Sequence, residues 1–113
     1  MENCLFCKII AGEIPSTKVY EDDKVFAFRD INPQAPVHVL VVPKKHYANV
    51  TECAVQDPEL MAYVMQACVK VAQMEGLTGG FRLITNNGKD ACQSVEHMHI
   101  HVLGGKQLAD NMG

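Results

Sequence analysis

Apolar and polar residues alternate with period two along several stretches of the chain, a pattern typical of strands with one buried face. The first two stretches are separated by the turn signal Asp22-Asp23, which predicts a hairpin. The third stretch is almost wholly apolar, which favours a central position in the sheet. The predicted strands are residues 17–21, 25–28, 37–42, 81–85 and 97–103.

Helical spacing appears in the middle of the chain. Asp57 can cap a helix, Pro58 suits its first position, and Gly76 is a stop signal. Shorter helical turns are expected over residues 8–11 and 49–53. Apolar residues of the long helix recur every three or four positions and predict its buried stripe: Leu60, Met61, Val64, Cys68, Val71 and Ala72.

Length and composition place these elements in a single domain over residues 1–113. Strands outnumber helices and their connections permit antiparallel pairing, so the predicted class is α+β. The formal net charge of −3 argues against a nucleic-acid polymer as partner, but it leaves room for one small phosphate ligand. No apolar run approaches the roughly 20 residues of a membrane helix, so no membrane partner is expected.

The N-terminus and the cysteine count together predict a cellular compartment. Residues 1–4 lack the basic and apolar regions of a signal peptide. The chain has five cysteines, an odd number. These features favour a cytoplasmic protein whose thiols stay reduced.

Residues 97–103 concentrate the chemistry of the chain. His97, His99 and His101 alternate with apolar residues, so a strand would place all three histidines on one face. Imidazole can act as a nucleophile, as a general acid or base, or as a metal ligand. The pattern therefore predicts a site, either for zinc or for one nucleophilic imidazole beside another that orients or protonates.

Cys4 and Cys7 have the spacing of half a zinc site, whose other two ligands would have to be histidines. His46, on a loop after a strand, and His97, the outermost of the three, could complete a closed structural tetrahedron. Two other interpretations stay open at this point. The cysteines could be metal-free thiols or a redox pair, although no strand precedes them as in a thioredoxin-like unit.

Three further features each have an ordinary and a functional interpretation. His38 is either a satisfied core residue of the third strand or a member of the histidine face from the adjacent strand. Asp30 is either a turn former or a carboxylate that accepts two hydroxyls of a ribose. Residues 86–94 are either an ordinary connection or a loop that offers hydrogen-bond donors to a phosphate.

Motifs along nearly the whole chain resemble the histidine triad (HIT) superfamily and, within it, the Hint-type nucleotide-binding branch. Residues 97–103 read His-φ-His-φ-His-φ-φ, where φ is apolar, and this is the superfamily signature. The opening of the chain, the proline loop, the end of the third strand and the residues before the histidines also resemble that branch. These segments are residues 4–15, 30–38, 43–46 and 93–95.

The resemblance implies a five-stranded antiparallel sheet with one long and one short helix, paired as a homodimer through the long helix and a sheet edge. The implied reaction is hydrolysis of purine nucleoside 5'-phosphoramidates to a nucleoside monophosphate and an amine, with no metal required for the chemistry. His99 matches the nucleophile that forms a nucleotidyl-histidine, and His38 and His101 match its supporting histidines. The implied nucleotide contacts are Asp30 at the ribose, Ile31 at the base, and Asn86 and Ser94 at the phosphate.

Zinc-containing members of the superfamily bind the ion through residues that match Cys4, Cys7, His46 and His97. The resemblance thus implies a structural zinc ion that ties the N-terminus to the sheet. The chain departs from the branch at Cys92, where many members have glycine, so a glycine-only backbone conformation would be strained there. It departs again over residues 106–113, which lack the aromatic-proline tail of some members, and the effect of the acidic Glu96 is open.

Three other functions stay open beside the phosphoramidate hydrolase. The first is dinucleoside polyphosphate hydrolysis or nucleotidyl transfer, as in other HIT branches, and the lack of an extra substrate domain in this sequence counts against it. The second is a non-catalytic module that binds a nucleotide or a partner, although every catalytic position is intact. The third is a metalloenzyme with catalytic zinc on the triad.

Overall fold

The computed structural model describes residues 3–112. Met1 and Glu2, part of the stretch expected to lack a signal peptide, lie outside the described residues, as does Gly113. The helices are α1 (Leu5–Ile10), α2 (Val50–Gln56) and α3 (Pro58–Met74). The strands are β1 (Lys18–Glu21), β2 (Val25–Arg29), β3 (Val37–Pro43), β4 (Phe81–Ile84) and β5 (Ile100–Gly104).

The five strands form one antiparallel sheet in the order β1-β2-β3-β5-β4. The predicted hairpin is confirmed as β1 and β2, and the apolar third strand lies at the centre of the sheet. This arrangement confirms the predicted α+β class. No helix within residues 3–112 is long and apolar enough to cross a bilayer.

Each face of the sheet is covered by a helix. Val39 and Val41 of β3 point to the core beneath α3, which buries the predicted stripe of that helix, with Met61 only partly covered. Leu40 and Val42 point to the other face, where they pack with α1 residues Phe6 and Ile9. Since side chains alternate along a strand, His38 must lie on this second face, with α1.

Two short helices, not one, accompany the long helix, and both differ from their predicted ranges. α1 begins at Leu5, earlier than predicted, because Cys4 Sγ accepts the backbone N–H of Cys7 at 3.3 Å and caps the first turn. α2 runs to Gln56, beyond the predicted turn. Its start is fixed because the Asn49 side chain accepts the backbone N–H of Glu52 at 2.9 Å.

The predicted limits of α3 are confirmed. The Asp57 side chain accepts the backbone N–H of Leu60 at 3.3 Å, and Pro58 occupies the first helical position. At the other end Gly76 has φ 71°, a left-handed conformation that glycine adopts without strain. The backbone N–H of Leu77 then reaches back to the carbonyl of Ala72 at 3.0 Å, which closes the helix.

Candidate active site and metal centre

β5 begins at Ile100, so the predicted start of the fifth strand at His97 is wrong. The pairing of β3 with β5 reaches Val41 opposite Ile100 and stops there. β3 ends shortly afterwards at Pro43, which has no N–H to donate to a ladder. The carbonyl oxygen of Pro43 is also occupied, because His97 Nε2 lies 2.8 Å away.

The alternation of residues 97–103 persists although the ladder is shorter than predicted. Met98, Ile100 and Val102 are buried in the core beneath α3. On the opposite face, the ring centroids of His99 and His101 lie 5.1 Å apart. The apolar half of the segment therefore anchors it, and the histidine half faces α1.

The hydrogen bonding of His99 fixes which ring nitrogen is free. Nδ1 lies 2.7 Å from the backbone carbonyl oxygen of His97, and a carbonyl only accepts, so Nδ1 carries the hydrogen. Nε2 is then left with its lone pair. Burial lowers the pKa of His99, against the opposing effects of the His97 carbonyl and Asp30. The ring is therefore neutral near pH 7 and has an unprotonated Nε2.

His38 and His101 form a hydrogen-bonded pair whose tautomers are also fixed. The backbone N–H of Gln34 donates to His38 Nδ1 at 3.0 Å, so the hydrogen of His38 sits on Nε2. That Nε2 lies 2.9 Å from His101 Nδ1 and donates to it. The hydrogen of neutral His101 is thereby placed on its own Nε2. A neutral N–H donor thus stands beside the His99 ring.

Asp30 extends this pair at the edge of the sheet. Its Oδ2 lies 3.4 Å from His38 Nε2, and its Oδ1 accepts the backbone N–H of Asn32 at 2.8 Å. Ligand atoms of Asp30, His38 and His101 all lie within 4.8 Å of one another. A metal on His38 Nε2 would force a hydrogen onto Nδ1, where the Gln34 N–H already points. This cluster is therefore suited to hydrogen bonding and poorly suited to a metal.

We expect the free energy of unfolding to fall as the pH is lowered from about 6.5 to about 4. Burial, followed by His99 and His38, lowers the pKa of folded His101 to about 4, whereas an unfolded histidine titrates near 6.5. The unfolded chain therefore binds more protons in this window, and acid favours it.

Urea unfolding of the wild type and His101→Gln at about pH 7 and about pH 4.5 measures this effect. The variant should lose less stability than the wild type, by on the order of 1 to 2 kcal/mol. Equal losses in the two proteins would contradict the assignment of the pH dependence to His101.

A second cluster, next to the His99 ring, contains four side chains that could bind a metal: Cys4, Cys7, His46 and His97. His97 Nδ1 lies 3.2 Å from Cys4 Sγ, 3.5 Å from Cys7 Sγ and 3.1 Å from His46 Nδ1. Cys7 Sγ lies 3.5 Å from His46 Nδ1. Tetrahedral zinc, with Zn–S of about 2.3 Å and Zn–N of about 2.0 Å, separates neighbouring ligand atoms by roughly 3.3 to 3.8 Å. The spacing of the four donor atoms fits a tetrahedral metal ion.

The tautomer of His97 also fits a metal ligand. His97 Nε2–H donates to the Pro43 carbonyl, which leaves the lone pair on Nδ1 facing both cysteines. His46 Nδ1 points to the same space. Burial and the neighbouring Cys4 raise the pKa of Cys7 to about 11 when no cation is present. A divalent cation at the centre would reverse this effect because it favours the thiolate form.

Comparison with known proteins decides the family. The family model described as HIT domain matches residues 11–108 of the chain. The chain belongs to the HIT domain family. The sheet, the long helix and the histidine segment described above are therefore those of a HIT domain.

Relatives resemble this HIT domain over most of its length. A Zea mays protein named 14 kDa zinc-binding protein is 48% identical over 106 residues, which cover 92% of this chain and 83% of that protein. Adenylylsulfatase HINT1 of Arabidopsis thaliana is 45% identical, with 92% and 72% covered. The solved structure of a HIT family hydrolase from Clostridium thermocellum is 49% identical, with a TM-score of 0.94 and 99% and 98% covered. The similarity thus extends to hydrolases of the family.

The HIT domain brings some of the predicted site residues together and leaves others apart. His38 and His101 are hydrogen-bonded to each other, with the Asp30 carboxylate and the His99 ring beside them. The four predicted metal ligands form a second group. The Ile31 side chain, in contrast, is 99% exposed. Asn86 is half-buried and Ser94 is exposed, and neither side chain makes a hydrogen bond within residues 3–112.

Two residues that contact His99 were not predicted from the sequence. The Phe6 ring packs edge-on against His99, with centroids 5.0 Å apart, and also contacts the rings of His97 and Phe28. Its position between the two cysteines was the available signal. The Thr85 hydroxyl donates to the His99 carbonyl at 2.8 Å, where the strand ladder has not yet begun. Nothing in the sequence marked this contact.

Cys92 has a backbone conformation that favours glycine, as expected at a position where many Hint-type proteins have glycine. Its φ of 60° and ψ of 38° are left-handed, and it is the single non-glycine residue with positive φ in residues 3–112. An L-residue in this conformation is strained by roughly 1 kcal/mol because its Cβ approaches the following carbonyl oxygen. The exposed Cys92 side chain makes no compensating hydrogen bond with the described residues.

Cys92→Gly is therefore expected to raise the free energy of unfolding by roughly 0.5 kcal/mol, the relief of strain being partly offset by the greater flexibility of an unfolded glycine. Urea unfolding monitored by circular dichroism measures the change. Cys92→Ala is the control, since it removes the thiol and keeps the strain. Equal stabilisation by alanine would mean that the backbone conformation is not the cause.

Proposed function

We propose that this HIT domain hydrolyses purine nucleoside 5'-phosphoramidates to a nucleoside monophosphate and an amine. The observation that carries the proposal is the hydrogen bond from His99 Nδ1 to the His97 carbonyl, because it leaves Nε2 as a neutral nucleophile. A nucleophile that needs no deprotonation suits attack on phosphorus at neutral pH. The named Arabidopsis relative, an adenylylsulfatase, supports an adenylyl substrate.

The reaction proceeds in two displacements. His99 Nε2 forms a bond to the α-phosphorus while the phosphorus–nitrogen bond breaks, and the departing nitrogen takes a proton from the solvent and leaves as an amine. Water then attacks the nucleotidyl-histidine, releases the monophosphate and returns His99 to its neutral form. The first step makes the His99 ring cationic, and the His97 carbonyl that accepts its Nδ1–H stabilises this charge.

The other residues of the group bind and orient the substrate. The N–H of His101, held outward by the bond from His38, donates to a phosphoryl oxygen. Asp30 accepts the ribose hydroxyls, and a purine base covers the exposed Ile31 side chain. Asn86 and Ser94, whose polar atoms make no side-chain hydrogen bond within the described range, contribute phosphate contacts.

We propose a structural zinc ion at Cys4, Cys7, His46 and His97. The spacing of the donor atoms and the free lone pair of His97 support this site, as does the maize relative, which is named a zinc-binding protein. The ion would supply a cross-link between α1 and the start of the histidine segment. None of the displacement chemistry at His99 requires it.

We also propose that two copies pair through β4 and α3 into a homodimer. β4 is an edge strand, and the exposed apolar side chains of Phe81, Ile84, Met65 and Val69 lie on these two elements. Light scattering after gel filtration should give twice the mass of the chain, and Val69→Glu should give the single mass. A monomeric wild type would exclude this pairing.

All five thiols are free, which supports a reducing, cytoplasmic location.

Mass spectrometry of protein quenched during turnover of an adenosine phosphoramidate tests the proposed reaction. We expect a nucleotidyl adduct on His99 in the wild type and none in His99→Ala. An adduct on another residue would refute the assignment of the nucleophile. A wild type that binds nucleoside monophosphate but turns nothing over would show that the chain is a binding module.

A further inference from the structure

The Gln93 side chain is fully engaged within the loop that connects β4 to β5. Its Oε1 accepts the backbone N–H of Gly88 at 2.8 Å. Its Nε2 donates to the carbonyl oxygens of Ala48 at 2.6 Å and Val95 at 3.0 Å. Both Nε2 hydrogens are therefore used, so Gln93 has no donor left for a substrate.

These three hydrogen bonds hold the loop at both ends and attach it to another part of the fold. Gly88 begins the turn that leads to Cys92, and its carbonyl also accepts the backbone N–H of Gln93 at 3.1 Å. Val95 lies at the other end of the turn. Ala48 belongs to the segment between β3 and α2, outside the loop. One carboxamide thus links two backbone positions of the loop to a third, Ala48, that is distant in sequence.

The segment that contains Ala48 is itself hydrogen-bonded to the segment that contains the three histidines, residues 97–103. The carbonyl of Tyr47, the neighbour of Ala48, accepts the backbone N–H of Met98 at 2.7 Å. The Asn87 side chain adds a second attachment, because its Oδ1 accepts both the N–H and the hydroxyl of Thr51 at 2.9 Å. The loop and the His99 backbone are therefore held in one hydrogen-bonded frame.

We infer that Gln93 is the positioning residue that sets the loop carrying Ser94 against the phosphate bound at His99. This inference rests on the proposed function, which places the phosphate of the substrate at that site. Ser94 is the next residue after Gln93, and its exposed side chain has no hydrogen bond of its own within residues 3–112 to fix it. Its placement must come from the backbone, and Gln93 is the side chain that holds this backbone.

Loss of these bonds is expected to affect the transition state more than the ground state. Phosphoryl transfer depends on donors held in place before the reaction, and a displacement of about 1 Å can cost about 100-fold in rate. We expect Gln93→Met, which keeps the length of the side chain, to lower kcat roughly 10- to 100-fold. The dissociation constant for AMP should rise by a smaller factor.

Gln93→Glu provides a sharper second variant. It keeps the acceptor for Gly88 but turns a carboxylate oxygen toward the carbonyls of Ala48 and Val95, which repels them. A protonated carboxyl regains one donor. The ratio of its kcat to that of the wild type should therefore rise as the pH is lowered, a response that a general loss of stability would not produce.

The experiment compares these variants with Gln56→Met, a matched change at the exposed last residue of α2, where the side chain makes no hydrogen bond within the described residues. It measures kcat, KM, AMP affinity, thermal unfolding and hydrogen exchange of residues 88–95. We expect faster exchange in the loop of Gln93→Met and an unchanged loop in Gln56→Met. Equal kcat in the two, or a loss of kcat that only follows the unfolded fraction, would overturn the inference.

Failure of the proposed function can be distinguished from failure of this inference. A wild type that hydrolyses no phosphoramidate would refute the former alone. AMP affinity and loop exchange would then decide the role of Gln93. Weaker AMP binding with faster exchange in Gln93→Met would support it, and unchanged values for both would overturn it.

Discussion

His99→Ala is expected to lower kcat for an adenosine 5'-phosphoramidate by roughly ten-thousand-fold or more, while AMP still binds within about threefold of the wild-type affinity. The reason is that no other described histidine combines a free Nε2 with a position in this group. His101 carries its hydrogen on Nε2, and His38 donates its own to His101. Assays quenched at fixed times measure kcat, and calorimetric titration measures the affinity for AMP.

The matched control for this prediction is chemical rescue. His99→Gly opens a space in a buried site, and added imidazole should restore part of the turnover there by supplying the missing lone pair. The same imidazole should have no effect on His101→Gln. Near-wild-type turnover by His99→Ala would refute the mechanism, whereas loss of AMP binding would mean that the residue holds the fold or the ligand.

The alternation of residues 97–103 was sufficient to predict both faces of that segment. Side chains two residues apart in an extended segment point to the same face, so Met98, Ile100 and Val102 are buried together. The start of β5 could not be predicted in the same way. It depends on Pro43, which lies far away in sequence and ends the partner strand opposite the histidines.

The chemistry of each histidine also exceeded what the sequence could predict. Spacing brings His38 and His101 to one face, but their tautomers follow from the Gln34 backbone N–H, which reaches His38 through the shape of the proline loop. His99 is oriented by the carbonyl of His97, two residues before it, and the spacing of the histidines alone does not predict this contact. Identical side-chain spacing is therefore compatible with metal binding at His97 and with a free nucleophile at His99.

Resemblance and geometry contribute different parts of the candidate site. The resemblance selected Cys4, Cys7, His46 and His97 from several possible roles. The structure adds that Phe6, on the helix that Cys4 caps and that contains Cys7, contacts the His99 ring directly. Any displacement of α1 would therefore reach His99 through Phe6 and through the His97 carbonyl. The proposed metal centre and the proposed active site are therefore connected through the same residues, although their proposed chemistry is separate.

Cys4→Ala is expected to lower the thermal unfolding midpoint of the zinc-loaded protein by roughly 10 °C, without abolishing turnover. Removal of one ligand weakens a cross-link between α1 and the sheet, and it also removes the sulfur that caps α1. A loss of about 3 kcal/mol, typical of a damaged structural metal site or disulfide in a small domain, corresponds to this shift. Turnover well below the midpoint should fall only a few-fold, because His99 keeps its bond to the His97 carbonyl.

Chelation and a matched cysteine variant separate the two possible roles of zinc. Cys92→Ala removes an exposed thiol outside the cluster and should leave the midpoint nearly unchanged. With a structural ion, a chelator lowers the midpoint first, and turnover at low temperature declines only as the protein unfolds. Immediate loss of turnover with no change in the midpoint would instead mean that the ion acts in catalysis. That result would refute the division of labour between His97 as ligand and His99 as nucleophile.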